Sequence, residues 1–253
     1  MSLPPLVLAY HGIGSVPLRR EPNGLFVRRD LLAKHIAKLR SWGYVLMTFG
    51  DLAEQLAAGE GTGCAALTFD DGFADNISAL TELGAPCTLF AVSGWLGGFH
   101  AEIPWAPIVS VAELRSLADA GVEIGSHSHM HSDLSTLSYS EARSDFDSSK
   151  RLLEEILDRP VDLAAYPYGS ASDETIRACR DAGFRAACRN SGQGSWTDPH
   201  NIPRQDMNNG STMIGLRLKR DDLYEPLMER LPFRAIRAAT RRAQLLIESL
   251  SLL

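Results

Sequence analysis

Short apolar runs that alternate with amphipathic helical patterns restrict the fold of this chain more than any other feature. Residues 6–10 form the first run, and residues 30–42 then follow a helical pattern that ends at Gly43, a helix stop signal. Such alternation predicts an α/β domain with a parallel sheet. Further predicted strands are 65–69, 87–92, 122–124, 163–166 and 184–188, and further predicted helices are 111–120, 140–157 and 173–182.

Composition excludes several classes of protein. The 253 residues are 45% hydrophobic and 22% charged, and the net charge of −6 argues against a nucleic-acid-binding chain. No apolar run reaches the roughly 18 residues of a membrane span, and residues 3–9 lack the basic leader of a signal peptide. We therefore expect a cytoplasmic, reduced protein. Its four cysteines, Cys64, Cys87, Cys179 and Cys188, lack CxxC spacing. Buried free thiols are expected, because Cys64, Cys87 and Cys188 lie in or beside apolar runs.

Polar residues recur where the predicted strands end. His11 follows the first strand, Asp70 and Asp71 follow the second, His127 follows the fourth, and Tyr168 follows a later one. Because the carboxyl ends of parallel strands face the active site in such folds, we expect these residues to share one mouth.

The sequence Thr68-Phe69-Asp70-Asp71-Gly72 places two carboxylates directly after an apolar strand. One interpretation is a polar turn with a helix cap, since Asp and Gly both favour turns. The other is a site that holds one carboxylate on a metal and the second beside a water.

Three of the seven histidines lie within five residues, in "GSHSHMH". On a strand, His127, His129 and His131 would share a face. On a helical turn, only His127 and His131 would, since they are four residues apart. Two imidazoles and one carboxylate suit zinc or another first-row divalent ion, so a metal site is expected.

The stretch "AYPYG" (165–169) ends another strand. It is either a turn fixed by Pro167 or a rigid backbone that offers an N–H to a developing oxyanion, with aromatic faces for a sugar ring. The candidates for substrate contact are Tyr10, Trp105, Tyr166 and Pro167.

Together these segments resemble the polysaccharide deacetylase (NodB-homology) family, carbohydrate esterase family four. The matching segments run from Leu6 to about Met207 and include "LAYHGIG", "LTFDDGFADN", "EIGSHSHMHSDLS", "AAYPYG" and "IPRQ". The resemblance implies a distorted, incomplete (β/α) barrel and a divalent metal, zinc first and cobalt, nickel or iron as alternatives. It also implies roles for five residues: Asp70 as catalytic base, Asp71, His127 and His131 as metal ligands, and the Tyr168 N–H in the oxyanion hole.

The chain departs from the family pattern at two positions. No histidine follows His200, so the late Leu-x-x-His motif that supplies a general acid in many members is absent. The substitutes are His11, which we favour, His100, His200 or Asp70 itself. Ala165 stands where many members have an arginine that contacts the base. Arg204 either replaces that arginine or is a surface residue.

The C-terminal part lies outside the resemblance, so we divide the chain into a catalytic domain, 1–210, and a helical extension, 211–253. Arginines there recur at helical spacing. They form either the solvated side of a packed helix or a surface that contacts an anionic membrane near a glycolipid substrate. They are Arg230, Arg234, Arg237 and Arg241.

Three functions remain open. The first is metal-dependent removal of N-acetyl or O-acetyl groups from a sugar in a polysaccharide or in a lipid- or nucleotide-linked precursor. The second is hydrolysis of a non-sugar amide or imide on the same fold. The third is carbohydrate binding by a degenerate site, which the lost acid motif favours and the intact Asp and His residues oppose.

Overall fold

A computed structural model describes residues 3–190 and 194–228, in which strands and helices alternate as the sequence predicts. The strands are β1 (Leu6–Tyr10), β2 (Val45–Met47), β3 (Cys64–Phe69), β4 (Thr88–Ala91), β5 (Glu123–Ser126), β6 (Leu163–Ala165), β7 (Ala186–Arg189), β8 (Ile202–Pro203) and β9 (Gln205–Asp206). The helices are α1 (Arg29–Trp42), α2 (Phe49–Ala57), α3 (Ile77–Thr81), α4 (Val111–Asp119), α5 (Tyr139–Leu157), α6 (Asp173–Asp181), α7 (Met213–Arg220) and α8 (Tyr224–Met228).

Local signals fix the ends of several helices. Helix α1 ends at Gly43, whose φ of 93° is the left-handed conformation that glycine adopts without strain. Ser138 caps the N-terminus of helix α5, where Ser138 and Glu141 form a reciprocal capping box. Ser110 and Glu113 form the same box at α4.

All strand pairs are parallel, in the order β8-β7-β6-β5-β4-β3-β1-β9, and β2 lies beside β3. Only Arg204 separates β8 from β9. Strand β8 pairs with β7, whereas β9 pairs with β1. The segment 202–206 thus bonds to both ends of the strand array and produces a nearly closed, distorted (β/α) barrel, which is the expected fold.

Most of the strands are buried on both faces, whereas β2 and β9 are partly exposed, and residues along the buried strands alternate between two environments. Val7, Ala66 and Ala165 pack with Phe90 inside the barrel. Their neighbours Leu6, Leu8 and Tyr10, or Ala164 and Tyr166, pack outside against the helices. The same alternation determines which residues, beyond the end of each strand, have side chains that point into the mouth of the barrel.

The four cysteines are buried and free, as expected. Within the described residues, no helix combines the length and the apolarity that crossing a membrane requires. Helix α7 contributes Leu216 to the core that contains α1. The four arginines of the predicted basic helical face lie outside the described residues.

The barrel interior predicts the effect of adding a methyl group at Gly125. A Cβ there would lie 2.5 Å from the Phe90 ring and 3.0 Å from the Leu163 carbonyl oxygen. We expect Gly125→Ala to lower the free energy of unfolding by about 1–3 kcal/mol, because the barrel has no room for it. Gly14→Ala is the control, since its nearest neighbour would be Phe26 at 3.7 Å. Equal urea-unfolding midpoints for the two variants would contradict this packing.

Candidate active site and metal centre

Strand alternation brings three predicted site residues to one end of the barrel. Ala66 points inward on β3, so Thr68 and Asp70 do as well. By the same rule, His11 points inward beyond Val7 on β1, and His127 does so two residues beyond Gly125 on β5. His127 Nε2 lies 3.8 Å from Asp70 Oδ2, although 57 positions separate the two residues in the sequence.

Asp70 is held by Arg204. The guanidinium donates one hydrogen bond to each carboxylate oxygen, both 2.7 Å long, and the two side chains are 1% and 0% exposed. Arg204 also donates to Thr68 Oγ1 and to Asn190 Oδ1. Burial raises the pKa of Asp70, but the charge and the hydrogen bonds of Arg204 outweigh burial, and the pKa lies below its ordinary value. Arg204 is therefore not a surface arginine.

A tight turn separates the two carboxylates. Asp71 and Gly72 have φ angles of 71° and 88°, and the Gly72 N–H donates to the Asp70 carbonyl oxygen. Asp71 Oδ1 lies 3.6 Å from His127 Nε2 and 3.3 Å from His131 Nε2, whereas Oδ2 lies 3.3 Å from His100 Nε2. Among the described residues, nothing donates a hydrogen bond to the buried Oδ1.

His127 presents an unprotonated nitrogen to these carboxylates. Its Nδ1 lies 2.9 Å from the Ala165 carbonyl oxygen, which can only accept, so Nδ1 carries the proton and Nε2 carries a lone pair. Burial lowers the pKa of His127 to about 4, and the imidazole is neutral at pH 7. A buried lone pair thus faces two carboxylates within 4 Å.

The histidine segment forms a turn, and this distinguishes the two arrangements that its spacing allows. Ser128 and His131 have φ angles of 67° and 56°, and Ser128 Oγ accepts the His131 N–H. The imidazoles of His127 and His131 lie 5.0 Å apart. His129 points elsewhere, and its Nδ1 lies 2.9 Å from Ser93 Oγ.

These features fit a divalent ion. One ligand atom from each of Asp71, His127 and His131 lies within 4.8 Å of the other two. A carboxylate and two imidazoles suit zinc and other first-row metals. A cation here would also neutralise Asp71, whereas the charge of Asp70 is already matched by Arg204.

The remaining predicted site residues differ in their exposure and in their neighbours. Tyr168 is 54% exposed and its ring lies 4.8 Å from that of His131. His11 is half-buried beyond the end of β1, and its buried Nδ1 has no hydrogen-bond partner among the described residues. Trp105 is half-buried and lies between Phe26 and the Arg20 guanidinium.

The expectation that Tyr10 and Tyr166 form faces for a sugar was wrong. Both rings are 0% exposed in the outer layers, where their hydroxyls bond to His35 and to the carbonyl of His200. They neighbour inward residues on their strands and so point outward. Pro167 is buried at the start of the turn that contains Tyr168.

Two of the alternative general acids, His200 and His100, contact other groups of the protein. His200 Nε2 donates a hydrogen bond to the Phe184 carbonyl oxygen, 2.8 Å away and outside the barrel. His100 contacts Asp71 through the nitrogen that would have to face a substrate.

Sequence reasoning missed Asn190 and Trp95. Asn190 lies two residues beyond the inward Cys188, so strand alternation could have identified it as a partner inside the barrel. Trp95 packs 4.7 Å from the His131 ring, in a loop whose sequence shows no comparable pattern.

Comparison with known proteins identifies the family of this chain. The family model described as polysaccharide deacetylase matches residues 58–187, just over half of the chain, and the chain therefore belongs to the polysaccharide deacetylase family. The protein YxkH of Bacillus subtilis (strain 168), whose name assigns it to the same family, is 25% identical over 185 residues. The match covers 71% of this chain but only 62% of YxkH.

Solved structures of several other proteins share the fold. The Streptococcus pyogenes deacetylase PplD, solved in complex with acetate, has a TM-score of 0.72 at 21% identity, over 87% of this chain and 98% of its own. A de-N-acetylase from Aggregatibacter actinomycetemcomitans has a TM-score of 0.71 at 18% identity, over 85% and 98%. IcaB from Ammonifex degensii has 0.71 at 18%, over 87% and 96%.

The buried ion pair predicts a coupled loss of stability. Arg204→Met should lower the free energy of unfolding by about 3–5 kcal/mol, because it leaves the Asp70 carboxylate buried and unpaired. The double variant Asp70→Asn/Arg204→Met should lose less than the sum of the two single variants, as measured by urea unfolding of metal-free protein at pH 7. Additive losses would show that the two groups do not interact.

The turn predicts which histidines affect metal binding. His127→Ala and His131→Ala should lower the zinc content well below one ion per chain after equilibrium dialysis. His129→Ala is the matched control and should retain the wild-type content, because its ring contacts Ser93 instead. Loss of the metal in His129→Ala would mean that the segment binds as a strand.

Proposed function

We propose that this chain is a divalent-metal-dependent deacetylase that removes N-acetyl or O-acetyl groups from a sugar, with zinc as the first candidate metal. One observation carries the proposal: the lone pair of neutral His127 and the unpartnered Oδ1 of Asp71 face each other at 3.6 Å in a buried pocket. Two electron-rich atoms in that arrangement repel unless a cation lies between them. Membership of the deacetylase family supplies the substrate class.

A divalent ion bound by Asp71, His127 and His131 would supply Lewis acidity, which polarises an acyl carbonyl and makes a water more acidic. Asp70 then serves as the base. Each of its oxygens accepts one hydrogen bond from Arg204 and retains a lone pair for the proton of the attacking water. Arg204 also fixes the orientation of that carboxylate, so little reorganisation is needed.

The remaining steps use the backbone of Tyr168 and the side chain of His11. The water oxygen bonds to the acetyl carbon, and the N–H of Tyr168 stabilises the resulting oxyanion, where loss of one such donor typically costs about 3 kcal/mol. The carbon–nitrogen bond breaks when the amine receives a proton, and acetate and a free amine are released. His11 is the proposed donor, since its buried Nδ1 has no partner among the described residues.

Two aromatic side chains beside the metal centre are candidates for contact with a sugar ring. Trp95, in the loop after β4, and Tyr168, in the loop after β6, both lie next to His131. Their ring centroids are 4.7 and 4.8 Å from that of its imidazole. The Tyr168 hydroxyl donates a hydrogen bond to Glu102, which belongs to the same loop as Trp95, so this bond connects the two loops. Aromatic faces suit the apolar face of a pyranose, and we propose these two residues as contacts in place of Tyr10 and Tyr166.

Acetate release tests the function. Protein loaded with zinc, cobalt or nickel should release acetate from N-acetylglucosamine oligomers or from simple acetyl esters. Asp70→Asn should reduce kcat about 10²–10⁴-fold while it retains the metal. Asp75→Asn is the matched control, because Asp75 is an exposed carboxylate in the same segment. Stoichiometric metal without release from any acyl substrate would instead indicate a degenerate binding protein.

A further inference from the structure

The loop between β4 and α4 places a fourth imidazole against the metal centre. His100 Nε2 lies 3.3 Å from Asp71 Oδ2, and the two side chains are only 3% and 2% exposed. His100 belongs to none of the motifs that identify the family in this sequence. Its contact is with the one oxygen of Asp71 that does not face the other two histidines.

Backbone contacts determine which nitrogen of His100 carries the proton. Nδ1 accepts the N–H groups of Glu102 and Ile103, at 3.1 and 3.2 Å. Since an N–H only donates, Nδ1 must carry the lone pair, and the neutral ring has its proton on Nε2. His100 therefore donates to Asp71 Oδ2.

Neighbouring rings hold the imidazole in this orientation. Phe73 stacks on it with a centroid distance of 5.1 Å and an interplanar angle of 7°, and Trp95 packs at 4.7 Å. Phe73 follows Asp71 by only two residues. The carboxylate and the ring that supports its hydrogen-bond donor thus belong to one short segment.

We propose that His100 is a positioning residue that occupies Oδ2 of Asp71, so that Oδ1 alone is presented to the metal. This inference rests on the proposed function. It accounts for the different surroundings of the two oxygens: Oδ2 lies 3.3 Å from the protonated Nε2 of His100, whereas Oδ1 faces His127 Nε2 and His131 Nε2 at 3.6 and 3.3 Å. Groups that hydrogen-bond to a metal-ligating side chain typically contribute 10–100-fold to metal affinity.

His100 itself is not a ligand in this arrangement. Its Nδ1 is occupied by two backbone N–H groups, and its Nε2 proton points at Asp71. The three side chains whose ligand atoms lie together do not include it. Donation to Asp71 also removes His100 from the candidates for the general acid.

Cobalt binding to the full chain tests the role. His100→Ala should weaken Co²⁺ affinity 10–100-fold in competition with a chelator, and its visible absorption spectrum should change, because Oδ2 becomes free to coordinate. His100→Gln should recover much of both properties, since its amide N–H can replace the Nε2 donor. His35→Ala is the control: it removes another buried imidazole, bonded to Tyr10 and Ser211, far along the chain from the metal ligands.

The outcomes separate this inference from the function on which it rests. His35→Ala should lose thermal stability but keep wild-type Co²⁺ affinity and spectrum. Wild-type affinity and spectrum in His100→Ala would overturn the positioning role and leave the proposed function intact. Equal loss of affinity in His35→Ala and His100→Ala would also overturn it, as a general structural effect. A wild-type protein that binds no Co²⁺ would overturn both.

Discussion

The buried ion pair between Arg204 and Asp70 is the interaction on which the rest of the site depends. Arg204 separates the two short strands that close the barrel, and its guanidinium reaches the end of β3 inside it. Burying two charges costs several kcal/mol per ion, which is offset here because Thr68 and Asn190 accept further hydrogen bonds from the guanidinium. The segment that closes the barrel thus also orients the proposed base.

This pairing leaves the charge of Asp71 as the unmatched one. Arg204 neutralises Asp70, and His127 is neutral, since burial lowers its pKa to about 4. An anionic side chain in such a pocket favours a cation strongly, because the surrounding dielectric constant is low. The preference for a metal therefore follows from the charges of the pocket and from the positions of its ligands together.

The backbone around the site is strained in advance. Four of the six non-glycine residues with left-handed φ in the described part of the chain surround it: Asp71, Ser128, His131 and Tyr168. Each such residue costs about 1–2 kcal/mol, and the surrounding fold has to supply that energy. Strain of this kind is typical of a pre-organised functional site, where the ligands are held in place before the metal or substrate binds.

Much of this could be predicted from the sequence. Short apolar runs predicted strands β1 and β3 to β7 but not β2, and residues at strand ends predicted that His11, Asp70 and His127 lie at one mouth. Strands β8 and β9 could not be predicted, because two residues carry no periodicity. The partner of Arg204 and the contact of His100 depend on distances between segments far apart in the sequence. Tyr10 and Tyr166 were misjudged by residue type, although alternation already places them outside.

Anomalous scattering from a zinc-soaked crystal would test the metal centre most directly. The predicted result is one strong peak in contact with Asp71 Oδ1 and with Nε2 of both His127 and His131, while Asp71 Oδ2 stays with His100. A peak bound by His129, a peak shared equally by both Asp71 oxygens, or no peak in the barrel mouth would contradict the proposed centre.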